Sequence, residues 1–268
     1  MALARNMLIR CVSLGHRFED KVRLALFGLI APVRNNSKGF WQRPFRALIP
    51  TFRLRPKQLG GLQLFIDPTD WSQTTIFEEI YLRHNYDLTK VRFTPEIVLD
   101  CGAHIGLFTL LAMSVFPTAQ VTAFEPNPEN VQLLVRQLEY NNLGAQLVQS
   151  AVSVEAGELP FSASNSHSGR LSRRASPNGQ KVRTIDFPAM VKQRRASSAL
   201  VKMDIEGEES RILPLLVPVL PRQSAIFFET HGGDTSWSEI AALLASHGFT
   251  VEKLRSRGAY VDGFASRE

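Results

Sequence analysis

Four short stretches of the chain combine residue types that bind a polar small molecule and move a proton. The first is Asp100-Cys101-Gly102-Ala103-His104-Ile105-Gly106, which follows the apolar run Ile97-Val98-Leu99 and opens a helical segment. This reads as a turn from a buried strand into a helix. Gly102 and Gly106 let the backbone bend tightly and approach a ligand. Asp100 adds a carboxylate, which suits a sulfonium ligand with an α-amino group and disfavours a pyrophosphate. The spacing also departs from the G-x-G-x-x-G of dinucleotide sites. The second stretch, Phe124-Glu125-Pro126-Asn127, ends the next strand, with Glu125 lying 25 positions after Asp100. A carboxylate there accepts hydrogen bonds from both hydroxyls of a ribose.

The third stretch runs from Val201 to Glu209, where Lys202, Asp204 and Glu206 alternate at the end of a fourth strand. Along an extended chain these three share one face. Charges so close together are costly to bury unless paired or ligated, so they are expected at the mouth of a site. The fourth is Phe227-Phe228-Glu229-Thr230-His231-Gly232, which sets His231 just past a fifth strand. An imidazole that is neutral near pH 7 is a candidate general base. Asp204 is the alternative base, or it orients the acceptor while Glu206 holds a neighbouring hydroxyl or Lys202.

These residues need a scaffold that brings strand ends to one edge. Apolar runs at 97–99, 120–125, 146–152, 199–204 and 226–230 read as strands. Helices are expected to Val115 and at 128–142, 208–217 and 236–247, with a further strand starting at Val251. Alternating strands and helices of this length imply a parallel sheet with helices on both faces. Upstream, residues 51–66 alternate around Gly60-Gly61 as a hairpin, and 72–84 carry Ile76, Ile80 and Tyr81 at helical spacing. Residues 160–184, rich in Ser and Arg, read as a hairpin or loop inserted before the fourth strand. The organisation expected is a helical extension over 1–50 with a loop at 32–41, a cap of hairpin and helix over 51–94, and the main domain over 95–268.

The net charge of +6 is uneven: residues 1–60 carry twelve Lys or Arg against two Asp or Glu, and the remainder is net negative. A basic arm of this kind suits peripheral contact with an anionic surface or docking on the body of the protein. No uncharged run in it reaches the roughly 18–20 residues of a membrane span, and no clean signal-peptide pattern is present. Cys11 and Cys101, the only cysteines, fit a reducing compartment. The expectation is a cytoplasmic protein, peripheral to membrane at most.

The run Val98 to Gly106, the Ala123-Phe124-Glu125-Pro126-Asn127 strand end, the Lys-x-Asp-x-Glu-Gly-x-Glu of Lys202–Glu209, and Glu229 with His231 resemble the FkbM family of methyltransferases, in order. Thr184 and Asp186 match a Thr-x-Asp that the family carries before the fourth strand. One departure is His104, where the family commonly has Asn. The resemblance covers residues 60–255 and implies a Rossmann-like class I methyltransferase fold with a mostly parallel seven-stranded sheet. It implies S-adenosyl-L-methionine as cofactor, bound by Asp100, Gly102, Ala103, His104, Gly106, Glu125, Pro126, Asn127, Ala151 and Asp204. It also implies O-methylation of a hydroxyl on a sugar, glycan or small-molecule natural product. His231, Asp204, Glu206 and Lys202 are the catalytic candidates, and no metal is expected. The competing readings are a nucleic-acid or protein methyltransferase and a non-catalytic membrane-associated protein that keeps the fold. An Asn-Pro-Pro-Tyr-type motif and an aromatic-rich basic stretch are both missing, which disfavours nucleic acid.

Overall fold

The computed structural model describes residues 9–15, 17–35, 52–67, 70–164, 168–171 and 180–268. Of the expected loops, residues 36–41 and, within the Ser/Arg-rich stretch, 165–167 and 172–179 lie outside the described residues.

Helix α1 (Phe18–Asn35) begins the described chain after a short helical turn. Leu24 and Phe27 are buried from its inner face, alongside Cys11 and Leu14. Phe27 meets Phe77 edge-on at 4.9 Å between ring centroids. Burying one such aromatic stabilises by about 1.5–3 kcal/mol, so this face is docked on the body. Strands β1 (Phe52–Leu54) and β2 (Leu64–Ile66) pair antiparallel. Helix α2 (Trp71–Phe77) starts where the Asp70 carboxylate accepts the Ser72 and Gln73 N–H groups, and it runs on into a π-turn at Glu78–Leu82.

The main sheet then follows. Strand β3 (Ile97–Cys101) leads to helix α3 (Leu107–Val115), β4 (Gln120–Phe124) to α4 (Pro128–Tyr140), and β5 (Gln146–Val148) ends that half. The amides of Gln137 and Asn141 hydrogen-bond the Phe65 and Gln63 backbone, tying the hairpin to α4. The expected strand over 146–152 is two strands: β5 joins the main sheet, while β6 (Ala151–Ser153) belongs to a second sheet with β7 (Gly157–Ser164), β8 (Ser168–Leu171) and β9 (Gln180–Asp186). The break falls at polar Gln149-Ser150, where the Ser150 N–H turns back to the Val148 carbonyl at 2.8 Å. Helix α5 (Phe187–Arg194), strand β10 (Ser198–Met203), helix α6 (Glu209–Leu216), strand β11 (Gln223–His231), helix α7 (Gly233–Ser246), and strands β12 (Thr250–Arg257) and β13 (Tyr260–Arg267) complete the chain.

The seven strands run in the order β12-β13-β11-β10-β3-β4-β5, and β13 alone is antiparallel to its neighbours. Both faces are covered, as a parallel sheet requires. Val98, Leu200 and Phe227 pack with α1, α2 and α3 on one side, and Leu99, Val201 and Ile226 pack with α5, α6 and α7 on the other. This is a Rossmann-like doubly wound fold.

Candidate active site

The chain leaves β3 toward β4 and β5, then returns to β10 on the opposite side of β3. The crevice at the carboxyl ends of β3 and β10 is therefore the topological switch point, where ligands of such sheets bind. Register places Met203 beside Cys101 and Phe228 beside Met203, so Asp204 lies between Gly102 and Glu229. Gly102 has φ +78°, and a Cβ there would strike the Asp204 carbonyl oxygen. The glycine is required by the close approach of the two strand ends, a different cause from the ligand contact expected from sequence.

Glu125 ends β4 with its carboxylate nearly buried. Its Oε2 accepts the His104 N–H at 2.8 Å, and its Oε1 accepts the Asn127 N–H at 2.9 Å and the Asn130 amide at 3.2 Å. Asn127 also caps α4 by accepting the Glu129 N–H. Burial raises the Glu125 carboxyl, against these hydrogen bonds, which lower it. Of the roughly four acceptor positions on a carboxylate, three are used, so one remains on Oε2. That is room for one ribose hydroxyl, where the sequence led us to expect two. His104, at φ +52°, sets its Nε2 2.6 Å from the Ser72 hydroxyl at the start of α2. The cap thus closes directly over the glycine turn, and Gly106, at φ +85°, begins α3 against Leu134.

Two residues expected at the mouth lie beneath it. Asp100 is completely buried: Thr109 donates to its Oδ2 at 2.6 Å, and Lys202 Nζ lies 3.5 Å from Oδ1. Lys202 is buried too and donates to the Gly102 carbonyl at 2.6 Å. Burial disfavours its charge, but Asp100 and Asp204 more than compensate and hold the ammonium protonated. The pair clamps the turn from below, with both side chains buried. Lys202, Asp204 and Glu206 do not share one face, because the strand ends at Met203 and Asp204 to Gly207 form a turn in which Glu206 adopts φ +62°. Ala151 packs with Phe161 and Val182 in the small core of the second sheet, three residues after the end of β5.

At the mouth, Asp204 Oδ2 accepts the Tyr86 hydroxyl at 3.0 Å. His231 sits among three carboxylates, each 3.4 Å from a ring nitrogen: Glu206, Glu209 and Glu229. Burial lowers its pKa, but hydrogen bonding to Glu206 and Glu209 and the charges of Glu209 and Glu229 push it up to about 10. The three surrounding carboxylates favour the imidazolium form, where the sequence led us to expect a neutral imidazole. Glu209 anchors the cage by accepting the Ile205 and Gly207 N–H groups at 2.9 and 2.8 Å. Arg257 binds Glu79 at 2.7 Å, Glu229 at 2.8 Å and Asp262 at 3.2 Å. Burial and the nearby Asp204 and Asp262 still raise Glu229 to about 9. Tyr86, Glu79 and Arg257 were not legible as site residues, since each joins through a long-range contact with no local motif, while Asn130 and Asp262 lie only five residues from Glu125 and Arg257, their partners. Among the described residues, no group of three or more His, Cys, Asp or Glu side chains is arranged to hold a metal ion.

Residues 100–251 match the methyltransferase FkbM domain. The chain belongs to the FkbM methyltransferase family. It is 27% identical over 208 residues to a 31-O-demethyl-FK506 methyltransferase FkbM of Streptomyces tacrolimicus, covering 65% of this chain and 78% of that protein. It is 40% identical over 88 residues to methyltransferase sdnD of Sordaria araneosa, 32% of this chain and 34% of that one, so the match spans only about a third of that relative. A hexuronic acid methyltransferase, AglP of Haloferax volcanii, is 22% identical over 139 residues, covering 52% and 57%. The FkbM domain thus contains the glycine turn, Glu125, the Lys202–Asp100 clamp and the His231 cage. Its donor set fits S-adenosylmethionine: an acceptor position remains on Glu125 for a ribose hydroxyl, and the Asp204 carboxylate stands beside the glycine turn.

Proposed function

We propose that the protein transfers the methyl group of S-adenosylmethionine to a hydroxyl oxygen on an uncharged sugar or natural product. The observation that carries this reading is the juxtaposition at the switch point: Glu125 with its remaining acceptor position on one side, and Asp204, Tyr86 and the imidazolium of His231 on the other. When bound, the cofactor supplies an electrophilic methyl group, and the protein's part is alignment and proton removal. Glu125, His104 and Asn127 would hold the adenosine end. Asp204, beside Gly102, takes the proton as the acceptor oxygen attacks, and Tyr86 holds the carboxylate in place. His231, with its ring nitrogens toward Glu206, Glu209 and Glu229, orders the carboxylates that line the acceptor's side.

The name of the Streptomyces relative, which specifies an oxygen, supports O-methylation. The carboxylates of Asp204, Glu206 and Glu79 crowd this mouth beside Glu229, with Arg257 bound to Glu79 and Glu229. An anionic acceptor would meet like charge there, so a neutral polyol fits better than the uronic acid named for AglP. The test is to incubate the enzyme with methyl-labelled S-adenosylmethionine and paired acceptors, a neutral glycoside and its uronate. Label in the neutral product supports the reading. Label only in the uronate, or on nitrogen, removes it.

A further inference from the structure

Helix α1 is apolar on two opposite faces. Its inner face buries Leu24 and Phe27 with the capping Asp20. On the outer face Phe18, Val22 and Leu26 stand at four-residue intervals, one above the next, and are 81%, 43% and 46% exposed. Ile9, in the preceding turn, is 56% exposed. Singly exposed apolar residues are ordinary, but a continuous stripe of large ones opposite a docked face marks a surface with a partner. Arg10, Arg17 and Lys21 are exposed around it and Arg23 is half-buried, against Glu19 alone among exposed acids, since Asp20 is turned in. This patch lies within the first sixty residues, where twelve cationic side chains face two acidic ones.

We propose that the outer face of α1 docks on an anionic lipid bilayer, with Phe18, Val22 and Leu26 entering the headgroup boundary and the surrounding Arg and Lys meeting lipid phosphates. The arrangement is that of an interfacial helix: an apolar stripe flanked by cations, lying in the plane of the membrane. Among the described residues no helix is long and apolar enough to cross a bilayer, so α1 lies on the surface. The occupant follows from charge. A second copy of the chain would bring an equally cationic patch against this one and repel it, whereas anionic headgroups match both the stripe and its rim. Because the inner face stays packed on the body, docking requires no unfolding of α1.

The experiment is flotation of the full-length protein with vesicles of phosphatidylcholine alone and of phosphatidylcholine with 30% phosphatidylglycerol. Wild type should float with the anionic vesicles, less so as salt rises, and hardly at all with the neutral ones. Phe18→Ser/Val22→Ser/Leu26→Ser changes only exposed side chains and should reduce binding at least tenfold. Arg17→Glu/Lys21→Glu leaves the stripe intact and should reduce it by about fivefold or more per reversed charge. Should the triple variant fail to fold, Val22→Trp keeps the proposal open to test: its added indole should shift to shorter wavelength on mixing with anionic vesicles. Failure of wild type to bind anionic vesicles would overturn the proposal. So would binding that survives in both variants, or a stripe-dependent dimer by light scattering that ignores lipid.

Discussion

Replacing Lys202 by Met separates the two roles open to this side chain, catalysis at the mouth or a clamp beneath it. Lys202 Nζ lies 3.5 Å from Asp100 Oδ1 and 2.6 Å from the Gly102 carbonyl, with both side chains buried. Met occupies a similar volume, so little packing is lost. What changes is Asp100, which keeps only the Thr109 hydroxyl at 2.6 Å and no counter-charge. Breaking a buried pair from one side costs about 3–5 kcal/mol. In a chain of 268 residues that is a fall in Tm on the order of 10 °C. Adding Asp100→Asn should recover most of the loss, because a neutral amide accepts from Thr109 and needs no cation. Thermal melts of the wild type, both single variants and the double variant measure the coupling directly, and about 2 kcal/mol or more is expected. An unchanged Tm in Lys202→Met together with abolished turnover would refute the clamp and return Lys202 to the mouth.

The His231 cage makes stability depend on pH. His231 is pushed up from 6.5 to about 10 and Glu229 from 4.5 to about 9, so each holds its proton more tightly folded than unfolded. Stabilisation of this sign is complete below the unfolded value and lost as pH rises through the folded one. Melts should therefore fall between about pH 5 and 10, with a flatter profile in His231→Gln/Glu229→Gln; a rise across that window contradicts the cage. Phe27→Ala empties a fully buried site against Phe77 and should cost about 3–5 kcal/mol by chemical denaturation, whereas a loss below 1 kcal/mol would mean that α1 is not docked. Gly102→Ala drives a Cβ into the Asp204 carbonyl at a backbone angle that disfavours side chains. It should lower stability and cofactor affinity together, and loss of affinity alone would restore the sequence-based explanation by ligand contact.

The sheet was legible in the sequence because each buried strand is a compact apolar run ending in an acid or a polar turn, as at Ile97–Asp100 and Gln120–Glu125. The order of motifs then set the switch point. What sequence could not supply was depth. Asp100 and Lys202 look like mouth residues in one dimension, and only the pairing of β3 with β10 shows them facing each other below the turn. The charge state of His231 was hidden for the same reason, since its three carboxylates come from two separate segments, 206–209 and 229. The antiparallel β13 was missed because its sequence, Tyr-Val-Asp-Gly-Phe-Ala-Ser-Arg, has no clear apolar run, and the break at Gln149-Ser150 because two polar residues do not by themselves end a strand. Tyr86 joins Asp204 across 118 positions, a distance at which no spacing rule operates.

The most direct test of the account is titration calorimetry of S-adenosylmethionine against the wild type and Glu125→Ala. Glu125 has one acceptor position left for the ligand and also holds the His104 and Asn127 backbone in place. The expected result is one-to-one binding by the wild type, not competed by NADH, and a loss of about 1.5–3 kcal/mol, roughly ten- to hundredfold, in a folded Glu125→Ala chain. A folded wild type that binds no S-adenosylmethionine, or a variant that binds it with undiminished affinity, would contradict the site proposed for this chain.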